Sequence, residues 1–165
     1  MTTKIKRSQF KTFLNTTPAA SPGSETYFLV ADGVVDASID YGPKTTEETY
    51  IDEDSATISL DSYAPKMAIT ATAKKGDPVF EFIDNLRVNR SILGDAETTV
   101  VNVWLYETPA GTAYPAEQQA ASIQIDKFGG KGGDATQIDY TINYLGDAVD
   151  GDFDTADSSF TATGA

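Results

Sequence analysis

The chain has 165 residues, of which 40% are hydrophobic and 22% charged, values typical of a globular protein rather than a disordered one. It carries 25 acidic and 12 basic residues, which give a formal net charge of −13 at pH 7. This balance argues against proteins that grip nucleic acid or anionic membranes through clustered lysine and arginine. No apolar run is long enough to predict a transmembrane helix.

Residues 1–24 predict an N-terminal arm, because a cluster of Thr, Pro, Ser and Gly at 16–23 separates them from the first expected strand. The arm is basic and contains no acidic residue before position 12; its cations are Lys4, Lys6, Arg7 and Lys11. A basic arm on an acidic body suits contact with a neighbouring copy, and a merely solvated terminus is the alternative.

Two strands, TYFLVA at 26–31 and VVDASIDY at 34–41, flank Asp32-Gly33 and predict a β-hairpin, because Asp-Gly favours the positive φ angles of a type I′ turn. A long acidic segment at 43–66 follows, with two β-prone pieces around a turn, and predicts a hairpin that orders on assembly. Its acidic residues are Glu47, Glu48, Asp52, Glu53, Asp54 and Asp61. MAITATA at 67–73 predicts the next strand.

One α-helix is predicted at about 77–91. Asp77 suits the N-cap and Pro78 the first helical position, while Arg87 and Arg90 fall near the negative end of the helix dipole. An apolar stripe for packing on a sheet is formed by Val79, Phe82, Ile83 and Leu86.

Three more strands are predicted at 98–107, 122–128 and 136–146. The first is almost wholly apolar, as in a strand covered on both faces. The last two are joined by GGKGGD, and the third places Ile138, Tyr140, Ile142 and Tyr144 on one face and Gln137, Asp139, Thr141 and Asn143 on the other. The fold class is therefore mainly β, an antiparallel sandwich or barrel with one flanking helix, in a single domain spanning 1–165.

Catalytic chemistry is restricted by missing residue types. The chain has no histidine, and it has no cysteine, which excludes Ser-His-Asp and Cys-His nucleophilic sites and histidine-based zinc sites. SQFK at 8–11 has the spacing of a Ser-Lys acylase without its partner motifs. GGKGGD lacks the Walker spacing of a phosphate loop. We expect neither enzymatic activity nor a cofactor.

The acidic C-terminal segment has part of the sequence pattern of a calcium-binding loop. Asp150, Asp152 and Asp154 have the 1-3-5 spacing of an EF-hand, but Thr155 and Thr161 stand where the loop needs glycine and a bidentate glutamate. A solvated turn is the favoured interpretation, weak surface calcium binding is the alternative, and 158–165 is predicted to be a flexible tail.

The order of these segments resembles tail tube proteins (major tail proteins) of long-tailed bacteriophages over roughly residues 26–154. The matching segments are FLVADGVVDASIDYGPKTTEETYI, SYAPKMAITATAKKGDPVFEFIDNLR, an apolar strand, FGGKGGDATQIDYTINYLGD and GDFD. Their order and spacing carry the resemblance, and no single motif does. Contractile-tail and type VI secretion tubes share this fold, so the resemblance alone does not fix the machine.

The resemblance implies a structural virion protein that forms rings, usually hexameric, stacked into a hollow tube. The arm and the 43–66 loop would bridge subunits and rings. Asp139, Thr141 and Asn143 are expected to line an acidic lumen through which DNA passes as non-binding cargo, with the outer surface as the alternative. Implied partners are further copies of the chain, a tape-measure protein, a tail initiator or baseplate and a tail terminator, with assembly in the host cytoplasm and no membrane.

Two functions from other classes compete with this interpretation. A carbohydrate-binding β-sandwich module of a virion or secreted protein predicts an exposed row of aromatic platforms, which the pattern does not supply. A glycosidase-like enzyme predicts a pair of carboxylates, and some pair is expected by chance among 25 acidic residues.

Overall fold

The computed structural model describes residues 1–164, and Ala165 lies outside the described residues. Within 1–164 the chain forms ten β-strands and one α-helix. In chain order these are β1 (Phe10–Asn15), β2 (Tyr27–Leu29), β3 (Val34–Asp40), β4 (Lys44–Glu48), β5 (Thr57–Ser62), β6 (Lys66–Thr72), α1 (Pro78–Asn89), β7 (Glu97–Trp104), β8 (Ala113–Gly129), β9 (Gln137–Asp154) and β10 (Ser159–Ala162). Short 3₁₀ turns occur at Arg7–Gln9 and Leu93–Ala96.

Eight strands form one antiparallel sheet in the order β2-β1-β7-β8-β9-β6-β3, with β10 also paired to β9. The sheet curls around its two longest strands, β8 and β9, whose pairing shifts register between Gln118 and Ala120 and again between Ile125 and Lys127. Strands β4 and β5 form a separate hairpin. The predicted fold class, mainly antiparallel β with one flanking helix, is confirmed.

The predicted helix is confirmed within two residues at each end. The Asp77 side chain caps α1 by accepting a 3.2 Å hydrogen bond from the Val79 amide, and Pro78 occupies the first helical position. The buried stripe of Val79, Ile83 and Leu86 packs α1 against one face of the sheet.

Two apolar clusters fill the molecule, one on each face of the sheet at strand β7. Val100 belongs to the first cluster, beneath α1, whereas Val101 and Val103 belong to the second. All three are fully buried, so the prediction of a strand covered on both faces is confirmed. The second cluster is completed by Phe13, Tyr27, Ala116 and Phe153.

The predicted hairpin between the second and third strands is wrong. The turn itself forms, since the Val34 amide donates to the Ala31 carbonyl at 3.0 Å and Gly33 has φ +75°. However, β2 pairs with β1, and β3 pairs with β6. Tyr27 is buried in the second cluster and Ala37 in the first, so the two strands serve different cores and separate after the turn.

The prediction that residues 1–24 form an arm is wrong for Phe10–Asn15. These residues form β1, which lies between β2 and β7 in the sheet. Phe13 and Leu14 are 8% and 0% exposed and belong to different clusters, so this strand is part of the core. Residues 1–7 are exposed, and they keep the basic character expected of an arm.

The prediction of a flexible tail at 158–165 is wrong for Ser159–Ala162, which form β10. This strand pairs with the end of β9, and Phe160 packs against the second cluster. The close approach requires Gly151 on β9, where an added Cβ would lie 2.3 Å from the Thr161 carbonyl oxygen. Asp150, Asp152 and Asp154 therefore lie on an extended strand, and the turn expected there is also wrong.

Candidate functional site

The outward face of β3, β6, β9 and the second half of β8 is polar, while the inward face of these strands builds the first cluster. We call this surface the polar face. By register it comprises Asp36, Ser38, Asp40, Lys66, Ala68, Thr70, Thr72, Ser122, Gln124, Asp126, Lys127, Gln137, Asp139, Thr141 and Asn143. The alternation predicted for β9 is confirmed, because Ile138, Tyr140, Ile142 and Tyr144 are all buried.

Hydrogen bonds join β8 and β9 across the polar face. Asp126 accepts from the Thr141 hydroxyl at 2.8 Å and from the Gln124 amide at 2.6 Å. The Asn143 amide donates to the Gln124 side-chain oxygen at 3.4 Å. Thr141 and Asn143 thus belong to one network, and Asp139 lies beside it, opposite Lys127 and Thr70.

The polar face is only mildly acidic. It holds four aspartates (Asp36, Asp40, Asp126 and Asp139) against two lysines (Lys66 and Lys127), a net charge of −2 out of the −13 of the chain. Most of the negative charge therefore lies elsewhere, chiefly on the 43–66 segment and the C-terminal half of β9.

The strands beneath the polar face have an unpaired edge on each side. Strand β3 ends the sheet, so no strand within residues 1–164 pairs with its outer edge, and the Arg7 guanidinium donates a 2.8 Å hydrogen bond to the Ala37 carbonyl of this strand. Strand β8 pairs with β7 only as far as Ser122, which leaves the outer edge of residues 123–129 without a partner strand among the described residues. Both edges are seven residues long. Because unpaired backbone edges are templates for strand addition, this sheet can be extended from either side.

The acidic segment at 43–66 forms the β4–β5 hairpin, and every residue of both strands is exposed. Its six acidic residues divide between the strands and the turn: Glu47 and Glu48 lie on β4, Asp61 on β5, and Asp52, Glu53 and Asp54 in the connecting turn. Local hydrogen bonds support it, from the Tyr50 hydroxyl to Glu48 at 3.0 Å and from Thr57 to Glu53 at 2.9 Å. An exposed two-stranded hairpin of this kind is marginally stable on its own.

The base of the hairpin is closely packed. The Ala64 amide donates to the Tyr41 carbonyl at 2.9 Å, and Gly42 adopts φ +50°. A Cβ on Gly42 would lie 2.7 Å from the Ala64 carbonyl oxygen. The direction in which the hairpin leaves the sheet is therefore set by a position that suits only glycine.

A cleft of about 710 Å³ lies beside this base, lined by Tyr41, Tyr63, Asn102, Glu117 and Tyr144 among others. The Asn102 amide donates to the Tyr144 hydroxyl at 3.3 Å. Burial raises the pKa of Tyr144 to about 12 and raises the pKa of Glu117 above its ordinary value. The sequence pattern did not identify this cleft. The one signal for it in the sequence was Asn102, a single polar residue inside the apolar run at 98–107.

The cleft does not present the row of aromatic platforms that a carbohydrate-binding module predicts. Its exposed rings, Tyr41 and Tyr63, meet edge to face at 76° with centroids 6.2 Å apart. Over residues 1–164, no group of three or more acidic side chains is arranged to hold a metal ion. In the same part of the chain, no helix has the length and apolarity to cross a membrane.

No protein-family model matches the sequence, and no curated protein does. Solved structures do match in fold. The SPP1 tail tube aligns at TM-score 0.65 and 17% identity, covering 89% of this chain and 78% of that one. The tail of an empty GTA particle, with C6 symmetry, aligns at TM-score 0.61 and 13% identity, covering 96% and 100%.

The six-fold symmetrised baseplate of the anti-feeding prophage (AFP) contains a chain that aligns at TM-score 0.50 and 10% identity, covering 91% of this chain and 97% of that one. All three are structural parts of tails or related particles. Each of the three alignments covers about nine-tenths of this chain or more. This chain therefore has the fold of the phage tail tube proteins.

Proposed function

We propose that this chain is a structural, non-enzymatic virion protein that self-assembles into rings, and that the rings stack into the hollow tube of a phage tail. The fold supports this role, because the SPP1 structure is a tail tube. Six copies per ring are proposed because the GTA tail and the AFP baseplate were described with six-fold symmetry.

The pair of unpaired edges beneath the polar face carries the proposal. In the order β8-β9-β6-β3 the strands alternate in direction, so β3 of one copy can pair antiparallel with residues 123–129 of the next. Six copies of four strands give a barrel of 24 strands. With strands about 4.8 Å apart and tilted by about 40°, such a barrel is about 50 Å across its backbone, which leaves an open channel.

The polar face would line this channel, with α1 outside. Asp139, Thr141 and Asn143 would then face DNA in transit. The Thr141 hydroxyl and the Asn143 amide already donate to Asp126 and Gln124, and the net charge of −2 on the polar face of each copy repels rather than binds the duplex. DNA would pass as cargo that the wall does not retain.

The remaining surfaces suit contacts between copies and with other tail proteins. The exposed β4–β5 hairpin and the basic residues before β1 would bridge subunits and rings. A tape-measure protein, a tail initiator or baseplate and a tail terminator would complete the tail, assembled in the host cytoplasm.

Electron microscopy and light scattering across a concentration series, with and without an initiator complex, test the assembly. We expect rings or tubes. A chain that stays monomeric with initiator and tape-measure protein present would exclude the role.

The edge pairing is testable separately, because the chain has no cysteine of its own. Single cysteines at Asp36, Ser38 or Asp40 are combined with single cysteines at Ser122, Gln124 or Asp126. Oxidised tubes should give, for at least one combination, a ladder of covalent multimers that ends at six. The exposed pair Lys75→Cys and Glu107→Cys is the control. If tubes assemble but no ladder forms, the proposed pairing of β3 with residues 123–129 is wrong, while the proposed tube is unaffected.

A further inference from the structure

An aliphatic patch lies open at the end of α1. Val88 is 58% exposed, Ile92 70% and Leu93 82%, and all three fall within six residues of one another. Scattered apolar residues are normal on a protein surface, whereas large aliphatic side chains exposed close together are typical of contact sites.

The backbone at this patch is in an uncommon conformation. Arg90 has φ +48° and Leu93 has φ +52°, and residues of this kind rarely adopt positive φ. Arg90 ends α1 in the left-handed position that glycine usually occupies. Strained positions that persist are often tied to function, and here the strain holds an arginine and a leucine on the surface.

A groove of about 540 Å³ runs from this patch to β8, and none of its lining residues is acidic. Its cations are Arg87, which is paired with Asp84, and Arg90, which forms no salt bridge within residues 1–164. The groove also includes Ser122 and Ile123, where the unpaired edge of β8 begins.

The hairpin presents a complementary surface. On one face of β5, Ile58 and Leu60 are 66% and 52% exposed, and Glu47 lies directly opposite Ile58 on the same face. This strip, Ile58 and Leu60 with Glu47, is aliphatic and carries one acid. The groove is aliphatic and carries one unpaired arginine.

We infer that the Ile58–Leu60 strip of one copy docks in the groove at the end of α1 of the next copy, with Glu47 beside Arg90. The inference rests on the proposed ring. When β3 of one copy pairs antiparallel with residues 123–129 of its neighbour, the end of β3 lies beside Ile123 of that neighbour. The hairpin that follows β3 is then brought to the groove. It does not fill the groove of its own chain, since all its strand residues are exposed.

Charge reversal tests the contact. Arg90→Glu and Glu47→Lys each place like charges in the interface, and each variant alone should need at least about tenfold more protein to assemble. An equal mixture of the two should assemble, because each variant supplies the partner that the other needs. The double variant should assemble by itself. Lys75→Glu and Asp134→Lys, at exposed sites outside the strip and the groove, are the matched controls and should assemble normally.

Arg90→Gly separates folding from docking. Glycine relieves the left-handed strain, so the melting temperature of the monomer should not fall, while the concentration needed for assembly should rise. The inference is wrong if either single charge variant assembles normally. It is also wrong if neither the mixture nor the double variant recovers assembly. Neither result would affect the proposed tube. A wild-type chain that forms no rings or tubes would instead remove the proposed function, and the inference with it.

Discussion

The Thr12 hydroxyl donates a 2.9 Å hydrogen bond to the side-chain oxygen of Asn102 across the β1–β7 pair, and both residues are buried. The Asn102 amide in turn reaches the Tyr144 hydroxyl on β9. One amide therefore ties together three strands in the apolar interior. Buried polar groups of this kind stabilise a fold only while every member has a partner.

Asn102→Ala should lower the free energy of unfolding by about 2–3 kcal/mol, because it leaves the Thr12 hydroxyl buried without its acceptor. Denaturant unfolding followed by circular dichroism measures this. Adding Thr12→Val, which removes the stranded hydroxyl, should recover part of the loss. Asn143→Ala on the polar face is the matched control, with an effect within about 0.5 kcal/mol. If Asn102→Ala and Asn143→Ala lower the free energy of unfolding equally, the buried network does not contribute specially to stability.

Alkaline pH should unfold the protein through its buried tyrosines. Burial raises the pKa of Tyr144 from 10.0 to about 12, and it also raises the pKa of Tyr140. Above pH 10 the unfolded state loses these protons while the folded state keeps them, so stability is fully present below pH 10 and falls as the pH rises toward 12. Each tyrosine adds a slope of at most about 1.4 kcal/mol per pH unit.

Unfolding at fixed pH values from 8 to about 12 measures this slope. Tyr140→Phe should flatten the curve, because the variant has one fewer proton to lose. A wild-type profile that is level through this range, or a variant profile identical to it, would contradict the assignment to buried phenols.

Removal of the hairpin should separate folding from assembly. Replacing residues 47–61 by Asn-Gly deletes only exposed residues of the hairpin, and both clusters stay complete. We expect cooperative thermal unfolding near the wild-type temperature and no tubes by microscopy. If the shortened chain unfolds without cooperativity, the segment contributes to the core.

Positive charge on the polar face should slow DNA ejection. Thr70→Lys adds a lysine opposite Asp139, so it gains an attractive neighbour and should leave tube assembly intact. Asp139→Lys is a stronger change, but it opposes Lys127 and should cost some stability. Ejection from assembled particles should slow at low salt and recover at high salt, since phosphate contacts release counterions.

The control for this measurement is Asn85→Lys, the same gain of charge on the exposed side of α1. It should leave ejection unchanged. If Thr70→Lys particles eject at the wild-type rate from intact tubes, the polar face lies outside and another surface lines the lumen.

Local signals were reliable where one segment determines its own structure. The caps and stripe of α1, the alternation of β9 and the all-apolar character of β7 could each be predicted from a few adjacent residues. The Asp32-Gly33 turn also forms. Its strands nevertheless part, because their partners, β1 and β6, are chosen by which cluster each strand completes, and that choice depends on residues far along the chain.

The candidate functional surfaces also divide into those that local sequence predicts and those that depend on distant residues. The polar face could be read from alternation, and the acidic hairpin from composition. The groove at the end of α1 could not, because it forms only when Ile92 and Leu93 come beside Ile123 in the fold. The face that these surfaces present in an assembly is decided between copies, and so it stays a prediction.

The pairing of β8 with β9 has a consequence for the order in which the chain folds. These strands meet across a short turn and pair over most of their length, so they can join early at little entropic cost. Strand β1 must close on β7 across some 90 residues, as Thr12 and Asn102 do. We therefore expect Ile142→Val to slow folding and Leu14→Ala mainly to speed unfolding. In a chain still emerging from the ribosome, β1 could pair with β2, but its other edge would stay open until β7 has been synthesised.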